Sequence, residues 1–399
     1  MSEQKRGTRI AIVGGGITGL ALAAALNRFG IGCEVYEQAQ ELGEVGAGIQ
    51  LSPNAVRLLH RIGLAESLAG VSVRSAAMEL RTWQHGEVIG RVPLDRCEER
   101  FGAPYYLLSR PDLHRSLLRL LPPGTVRLSM ACTGVEDRAD GAELRFSDGT
   151  FVTADLVVGA DGIRSKVREH LVRDEPRYSG QTVYRGLAPA HRAPFLGAEP
   201  GSVIWAGPGR HFVCYPVASG RLVNFVATVP SADWFPESWS QPGEVQEVLK
   251  SFTGWDPAVR QIIEATDTVT RWALHLRDAD FGWSRGRVTL AGDAAHPMLP
   301  FMAQGANQAI EDAFALAACL RQAPADGVPA ALRRYEAARR PRTALVQQRS
   351  ADMAHVFHDP DGPRPTPGHS PSSDEGGALS AFNWLFGHDA EQGLVRPPA

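Results

Sequence analysis

Gly292-Asp293 closes a short apolar stretch, VTL (288–290), and is followed by Pro297, Pro300 and Gly305 before an apolar stripe at Ile310, Ala313, Phe314 and Ala317. That spacing predicts a buried strand ending in a carboxylate, a loop stiffened by prolines, and then a helix. The carboxylate suits polyol hydroxyls, and a helix start suits a group that gains negative charge. Two further stretches have a related form. RIAIVGGGITGLALAAALNRFG (9–30) holds Gly14, Gly16 and Gly19 as GxGxxG between an apolar strand and a helix, with Ile17 and Thr18 inside the turn. Glu37 and Gln38 then stand at the end of the next strand, GCEVYEQ. LVVGADGIRSKVR (156–168) runs from a third apolar strand into Asp161. The first glycine allows the tight turn, the second lets a pyrophosphate approach backbone, and the third lets helix and strand pack closely. The phosphates then sit on the helix N-terminus, and Glu37 takes the ribose hydroxyls.

The glycine motif by itself also fits a purely structural turn, and it does not choose between a flavin and a nicotinamide. The stretch after residue 288 makes the choice. A flavin carries both a ribityl chain and a ring edge that gains charge on reduction, the two features that Asp293 and the helix start would meet. Only one GxGxxG is present: GPGRHF (207–212) lacks the third glycine and a following helix. A second nicotinamide-binding Rossmann domain is therefore not expected, and NADH or NADPH would dock transiently.

Taken together, GGGITG (14–19), GADGIRSKVR (159–168), and GDAAHPMLP with QGANQAIEDA (292–313) resemble the single-component FAD-dependent aromatic hydroxylases. That family includes p-hydroxybenzoate, salicylate, 3-hydroxybenzoate and 6-hydroxynicotinate hydroxylases, and the resemblance covers roughly 8–350. It implies an NAD(P)H- and O2-dependent monooxygenase acting on a small phenolic or heteroaromatic acid through a flavin C4a-hydroperoxide. It also implies that Asp293 binds the ribityl chain, that Pro300, Gly305, Ala306 and Asn307 border the flavin ring, and that Asp161 supports FAD. Arg110, in SRPDLHRSLL, would reach the phosphate–ribityl region, though a solvated arginine is the alternative. Ala47 and Cys132 align with positions lining the flavin and the adenine.

Between 180 and 275 the pattern changes to short alternating strands with GPGR and ASGR turns, an antiparallel sheet. In RHFVCYPVA (210–218), His211, Val213, Tyr215 and Val217 share one face, with His211 and Tyr215 about 13 Å apart at ~3.3 Å per residue. The resemblance gives this histidine and tyrosine substrate contacts and makes His211 the base that deprotonates a phenol. A neutral imidazole can take that proton near pH 7. The alternative is a hairpin histidine bonded to backbone. Pro300, Phe301 and Met302, with Met298, would make the pocket beside the flavin largely apolar. His296 reads as structural. Ala47, Pro300 and Met302 offer fewer hydrogen bonds than hydroxynicotinate enzymes would need, so a larger or less polar substrate is expected. Arg185 and Arg210 are both candidates to clamp a carboxylate.

These sites belong to an α/β chain: a Rossmann-like FAD-binding domain, an inserted mixed β-sheet substrate domain, and C-terminal helices. FAD-binding segments are expected at 1–75, 106–178 and 276–322, substrate-domain strands at 76–105, and the substrate sheet at 179–275. Residues 323–399 supply C-terminal helices around a Pro/Gly/Ser-rich linker at 358–377, with a kink at Pro341 and a docked apolar helix in ALSAFNWLFGHD (378–389). The composition (399 residues, 44% hydrophobic, 21% charged, net charge −3) gives no electrostatic case for nucleic acid or a membrane surface. Five cysteines without a CxxC pair predict reduced thiols, no metal site and a cytoplasmic setting. A monomer or homodimer fits. The same fold would also serve an epoxidase, a prenyl-type reductase on a more apolar substrate, or a flavin-binding protein without turnover.

Overall fold

The computed structural model describes residues 8–43, 48–138, 141–196, 199–231, 241–277, 281–323, 327–359 and 375–394. Ala47 and most of the Pro/Gly/Ser-rich linker therefore lie outside the described residues. Ile10–Val13, Cys33–Tyr36, Val126–Arg127, Leu156–Gly159 and Val288–Leu290 form a parallel sheet, with Ser284–Arg285 added antiparallel at one edge. These strands read as uninterrupted apolar runs because both faces are covered. The helices Ile17–Arg28 and Gly305–Arg321 pack against each other, and a single core joins them to the sheet. The helix Ile17–Arg28 carries almost no polar face, since Leu20 to Leu26 are all buried.

The second sheet has eight strands in the order Gln241–Gly243, Val269–Leu276, Arg177–Pro189, Leu222–Pro230, Arg210–Val217, Ser202–Gly207, Ala77–Thr82, Val88–Pro93. Only the Ser202–Gly207 and Ala77–Thr82 pair is parallel. One face packs on the helices Val245–Ser251 and Pro257–Glu264 through Phe212, Phe225, Trp205 and Ile262. The opposite face looks toward the first domain. The helix Val328–Phe357 continues through Pro341, and its last turns pack on the second sheet beside Val183, Ile204 and Ala206. Glu375–Ser380 and Asn383–Phe386 then dock as two short helices. Among the described residues, no helix is long and apolar enough to cross a membrane.

Candidate active site

Both strand-to-helix turns are built from backbone constraints. Gly14 has φ +107°, and a Cβ there would lie 2.4 Å from the Ala160 carbonyl oxygen. Around Gly16, by contrast, a Cβ would meet nothing within 4 Å, so the turn is open on that side. Gly19 is not on the cavity wall but packs its backbone on Gly14. The Glu37 carboxylate accepts the Gly15 N–H at 2.6 Å and the Ala39 N–H at 2.9 Å, fixing the turn while still bordering the cavity.

Asp161 sits at the end of Leu156–Gly159. Its carboxylate accepts Ser165 Oγ–H at 2.5 Å and the Lys166 N–H at 2.7 Å, so it anchors the start of the helix Lys166–Leu171. Arg168, buried on that helix, donates to the Ala294 and Ala295 carbonyls at 3.0 and 3.1 Å and pairs with Asp174 at 2.7 Å. The middle motif thereby holds the loop that carries Asp293. Burial raises the Asp293 pKa, while His296 and Arg110 oppose the rise. Among the described residues its carboxylate takes no hydrogen bond, and it faces the cavity. Asn307 faces the other way. Its Oδ1 accepts the Ser52 N–H at 2.9 Å and its Nδ2 donates to the Gln50 and Ala303 carbonyls, pinning the helix start to the strand Gly48–Leu51. His296 pairs with Asp312, which also accepts the Gly292 N–H at 2.8 Å, so this histidine is structural as expected.

One cavity of about 1110 Å³ joins these parts. Gly14, Gly16, Ile17, Thr18, Glu37, Gln38, Met130 and Cys132 line one end. Arg110, Asp161, Asp293, Pro300, Phe301, Met302, Gly305 and Ala306 line the middle, and the second sheet closes the other end. The dimensions and lining fit FAD. Gly16 leaves room where a pyrophosphate would touch backbone, Asp293 offers an acceptor to hydroxyls, and the helix start at Gly305–Ala306 is aimed inward.

The sheet end has an order that only the pairing register reveals. Leu80, Ile204, Val213, Val226 and Arg185 stand side by side across five strands. This row is an apolar floor with a guanidinium at its edge. Two residues along, Ala206, His211, Thr228 and Val183 form a second row. On the other side, Tyr215 pairs with Asn224, and Ser202, next to the Val203–Cys214 pair, is level with Tyr215. The Ser202 hydroxyl is buried, borders the cavity and has no hydrogen-bond partner. Asn224 accepts the Gly48 N–H at 2.7 Å, tying the two domains together, while its Nδ2 is buried and unpaired.

Electrostatics follow from burial. The Arg185 pKa is pushed down to about 10 by desolvation, with Tyr215 opposing and Arg110 reinforcing. Tyr215 is pushed up to about 12 by burial, against the pull of Arg185. His211 falls well below its ordinary value through burial and the neighbouring His358. Both ring nitrogens of His211 are engaged: Nδ1 lies 2.7 Å from His358 Nε2, and Nε2 lies 3.3 Å from Thr228 Oγ1. His211 is thus a neutral, tethered imidazole rather than one pointing a free lone pair at the cavity. Arg210 turns away to the Ser251 carbonyl and does not reach the cavity, leaving Arg185 of the two candidates.

Sequence reasoning missed several wall residues. Ser202 carried no motif, and the C-terminal Ala378, Ala381, Phe382, Leu385 and Phe386 complete the wall beside Tyr105. That tail is held by Arg57 on the His388 carbonyl at 2.7 Å and by Arg342 on the Trp384 and Leu385 carbonyls at 3.1 and 3.0 Å. The tail's apolar composition was the one available signal.

A Rossmann-like domain opening onto a sheet-lined aromatic pocket defines the class of flavin-dependent aromatic hydroxylases. A family model described as an FAD binding domain matches residues 7–350. Over 385 residues the chain is 52% identical to 3-amino-4-hydroxybenzoate 2-monooxygenase PtmB3 of Streptomyces platensis, spanning 96% of both chains. It is 38% identical to 6-hydroxynicotinate 3-monooxygenase of Pseudomonas fluorescens, spanning 86% of this chain and 90% of the relative. The solved structure of Klebsiella pneumoniae HpxO complexed with FAD and uric acid matches with a TM-score of 0.79 and 28% identity, covering 97% and 95% of the two chains. This chain belongs to the FAD binding domain family and is an FAD-dependent aromatic monooxygenase.

Proposed function

We propose that this enzyme hydroxylates 3-amino-4-hydroxybenzoate, or a close aminohydroxybenzoate, at the ring carbon between the amino and carboxylate positions. NAD(P)H supplies two electrons and O2 the inserted atom. One observation carries the reading: the half-buried guanidinium of Arg185 stands at the edge of the apolar row Leu80, Ile204, Val213 and Val226, with Tyr215 and Ser202 along one side. A carboxylate on Arg185 offsets the desolvation that lowers its pKa, and the flanking hydroxyls suit ring amino and hydroxyl groups. The 52% identity to an aminohydroxybenzoate monooxygenase supports the same substrate class.

In this reading Gly14, Gly16, Ile17, Thr18, Glu37, Gln38, Arg110, Cys132, Asp161 and Asp293 hold the FAD, and the loop from Pro300 to Ala306 borders its ring. FAD, when bound, supplies the electron transfer and oxygen activation. The chain's own part is to place the ring, exclude water and accept a proton. The 1–75, 106–178 and 276–322 segments make the cofactor half, and 76–105 with 179–275 the substrate half.

Organic chemistry sharpens the assignment. Carbon 2 is ortho to the amino group but meta to the hydroxyl, so the amine, not the phenolate, donates electrons to the attacked carbon. The test is NADH and NADPH oxidation with 3-amino-4-hydroxybenzoate, 3,4-dihydroxybenzoate and 4-hydroxybenzoate, with products weighed under 18O2. Oxygen incorporation at carbon 2 is expected for the first two compounds and not for the third. Oxygen-independent reduction of an alkene would point instead to a reductase.

A further inference from the structure

The C-terminal end of the helix Val328–Phe357 delivers a second histidine to His211. His358 Nε2 lies 2.7 Å from His211 Nδ1, the rings stack at 5.0 Å between centroids and 25° between planes, and Gln181 Nε2 lies 3.0 Å from His358 Nδ1. The Gly209 N–H donates to the His358 carbonyl at 3.2 Å, locking the helix end to the hairpin that begins the His211 strand. Phe301, from the loop bordering the flavin, packs edge-on against His211 at 5.0 Å. His211 is fully enclosed at 2% exposure, whereas His358 is half-buried next to the exposed His355. Thr228, His211, His358 and Gln181 therefore form a hydrogen-bonded row that runs from His211, the member on the cavity wall, through His358 to the half-buried Gln181, with Thr228 buried behind His211.

Such a chain has one direction at a time. With the Gln181 amide N–H donating to His358 Nδ1, His358 Nε2–H must donate to His211 Nδ1, which leaves the His211 proton on Nε2 toward Thr228. Gln181 Oε1 is buried with no partner, so a half-turn of the amide gives it the His358 Nδ1–H. The whole chain then reverses, and His211 Nε2 becomes a lone pair. The bond at that end is the long one, 3.3 Å to Thr228, against 2.7 Å to His358.

We propose that His358 and Gln181 make His211 competent: they set its tautomer and carry away the proton that the ring's electron-donating substituent loses during hydroxylation. This rests on the function proposed above. As the C–O bond forms and the O–O bond breaks, the amino N–H (or hydroxyl O–H) proton passes to His211 Nε2, and the ring C–H proton lost on rearomatisation restores that N–H (or O–H). His211 Nδ1–H passes to His358 Nε2, and the half-buried His358 gives its Nδ1 proton to solvent, which balances the proton taken up as the second oxygen atom leaves as water. The inserted oxygen and the two electrons come from O2 and NAD(P)H, as the monooxygenase reaction supplies. Burial disfavours the charged form of both rings, so neither stores the proton. Among the described residues, the titratable groups nearest His358 are His211, bonded to it, and His355 and Asp359 on its own segment.

The experiment is 15N-histidine NMR of the FAD-loaded protein, followed by kinetics of His358→Phe and His358→Gln. Without substrate, His211 is expected as the Nε2–H tautomer with a coupling across Nδ1 to His358. Adding 3-amino-4-hydroxybenzoate should switch both rings to Nδ1–H. His358→Phe should bind substrate within about 3-fold of wild type, lose tenfold or more in kcat, and divert electrons to H2O2. His358→Gln can still donate to His211 Nδ1 but cannot conduct, so its kcat should stay equally low. Wild-type kcat in His358→Gln, or a His211 tautomer indifferent to bound substrate, overturns the proposal. Failure of the wild-type protein to hydroxylate any aminohydroxybenzoate overturns the proposed function instead. The ligand-free coupling decides the His211–His358 bond by itself, and its absence ends the proposal whatever the substrate.

Discussion

The guanidinium of Arg185 lies over the indole of Trp272, 4.0 Å from the ring centroid, and Tyr215 is close enough to act on its charge. Stacking of this kind fixes the plane of the fork, which is what a carboxylate needs for two parallel hydrogen bonds. Arg185→Lys keeps a charge but loses the stacked plane. It is expected to raise KM for aminohydroxybenzoate at least 30-fold, about 2 kcal/mol, with a smaller effect on kcat. An aminophenol lacking the carboxylate should show no such change. Steady-state NAD(P)H oxidation with both compounds checks this.

The glycines of the first turn should separate folding from cofactor binding. Gly19→Ala puts a Cβ 1.9 Å from the Gly14 carbonyl oxygen, so the turn must open, and the protein should lose several kcal/mol or fail to accumulate. Gly16→Val places its side chain in open space. The apoprotein should then melt close to wild-type apoprotein but purify nearly colourless. Flavin absorbance per protein, with melting curves on cofactor-free samples, distinguishes the two.

Beneath the helix Gly305–Arg321, whose start lines the cavity, lies a buried charge network. Arg339 pairs with Glu311 and with Asp312 (2.7 Å), and Arg342 joins Glu311 at 2.6 Å. The arginines and His296 outweigh desolvation and hold both carboxyl pKa values at about 2. A depressed carboxylate contributes stability that is complete above its unfolded pKa near 4 and is lost as pH falls toward 2. The melting temperature should therefore drop steeply between about pH 4 and 2. Arg339→Met leaves two carboxylates under-compensated and should cost about 3–5 kcal/mol at pH 7, with a shallower fall below pH 4.

Phe386 and Phe382 stack at 4.9 Å between centroids, and Phe386 meets Phe101 edge-on at 5.7 Å. The pair walls the aromatic pocket from a segment 180 residues or more beyond Ser202 in sequence. Deleting residues 375–394 is expected to admit water, so that most NAD(P)H consumed yields H2O2 rather than product. Peroxide measured against product at saturating substrate tests this.

Below about pH 6.5 the histidines add a second dependence. His211 and His358 have folded pKa values lowered, the latter to about 4, chiefly by burial. Unfolded chains then bind more protons, so their contribution is complete above about pH 6.5 and fades as pH falls toward 4. His211→Phe should flatten the melting-temperature profile between pH 6.5 and 4.

The amino-acid order alone determined the cofactor half. Gly14-x-Gly16-x-x-Gly19, Asp161, and Gly292-Asp293 with the following prolines are local signals, since each turn is shaped by neighbours a few residues away. The alternation that put His211, Val213 and Tyr215 on one face was equally local. What stands beside that face was decided by strand pairing between segments far apart in the chain. Register put Arg185 at the edge of the floor and Ser202 level with Tyr215, and sent Arg210 elsewhere. Asn307 carried the look of a cofactor contact, yet its side chain ties two elements together. Phe357 and Phe386 reach the pocket, and His358 reaches His211, only because the long helix and the tail fold back across it. Side-chain alternation is written every second residue, but which strands and tails become neighbours depends on burying the whole core at once, and no short stretch encodes that.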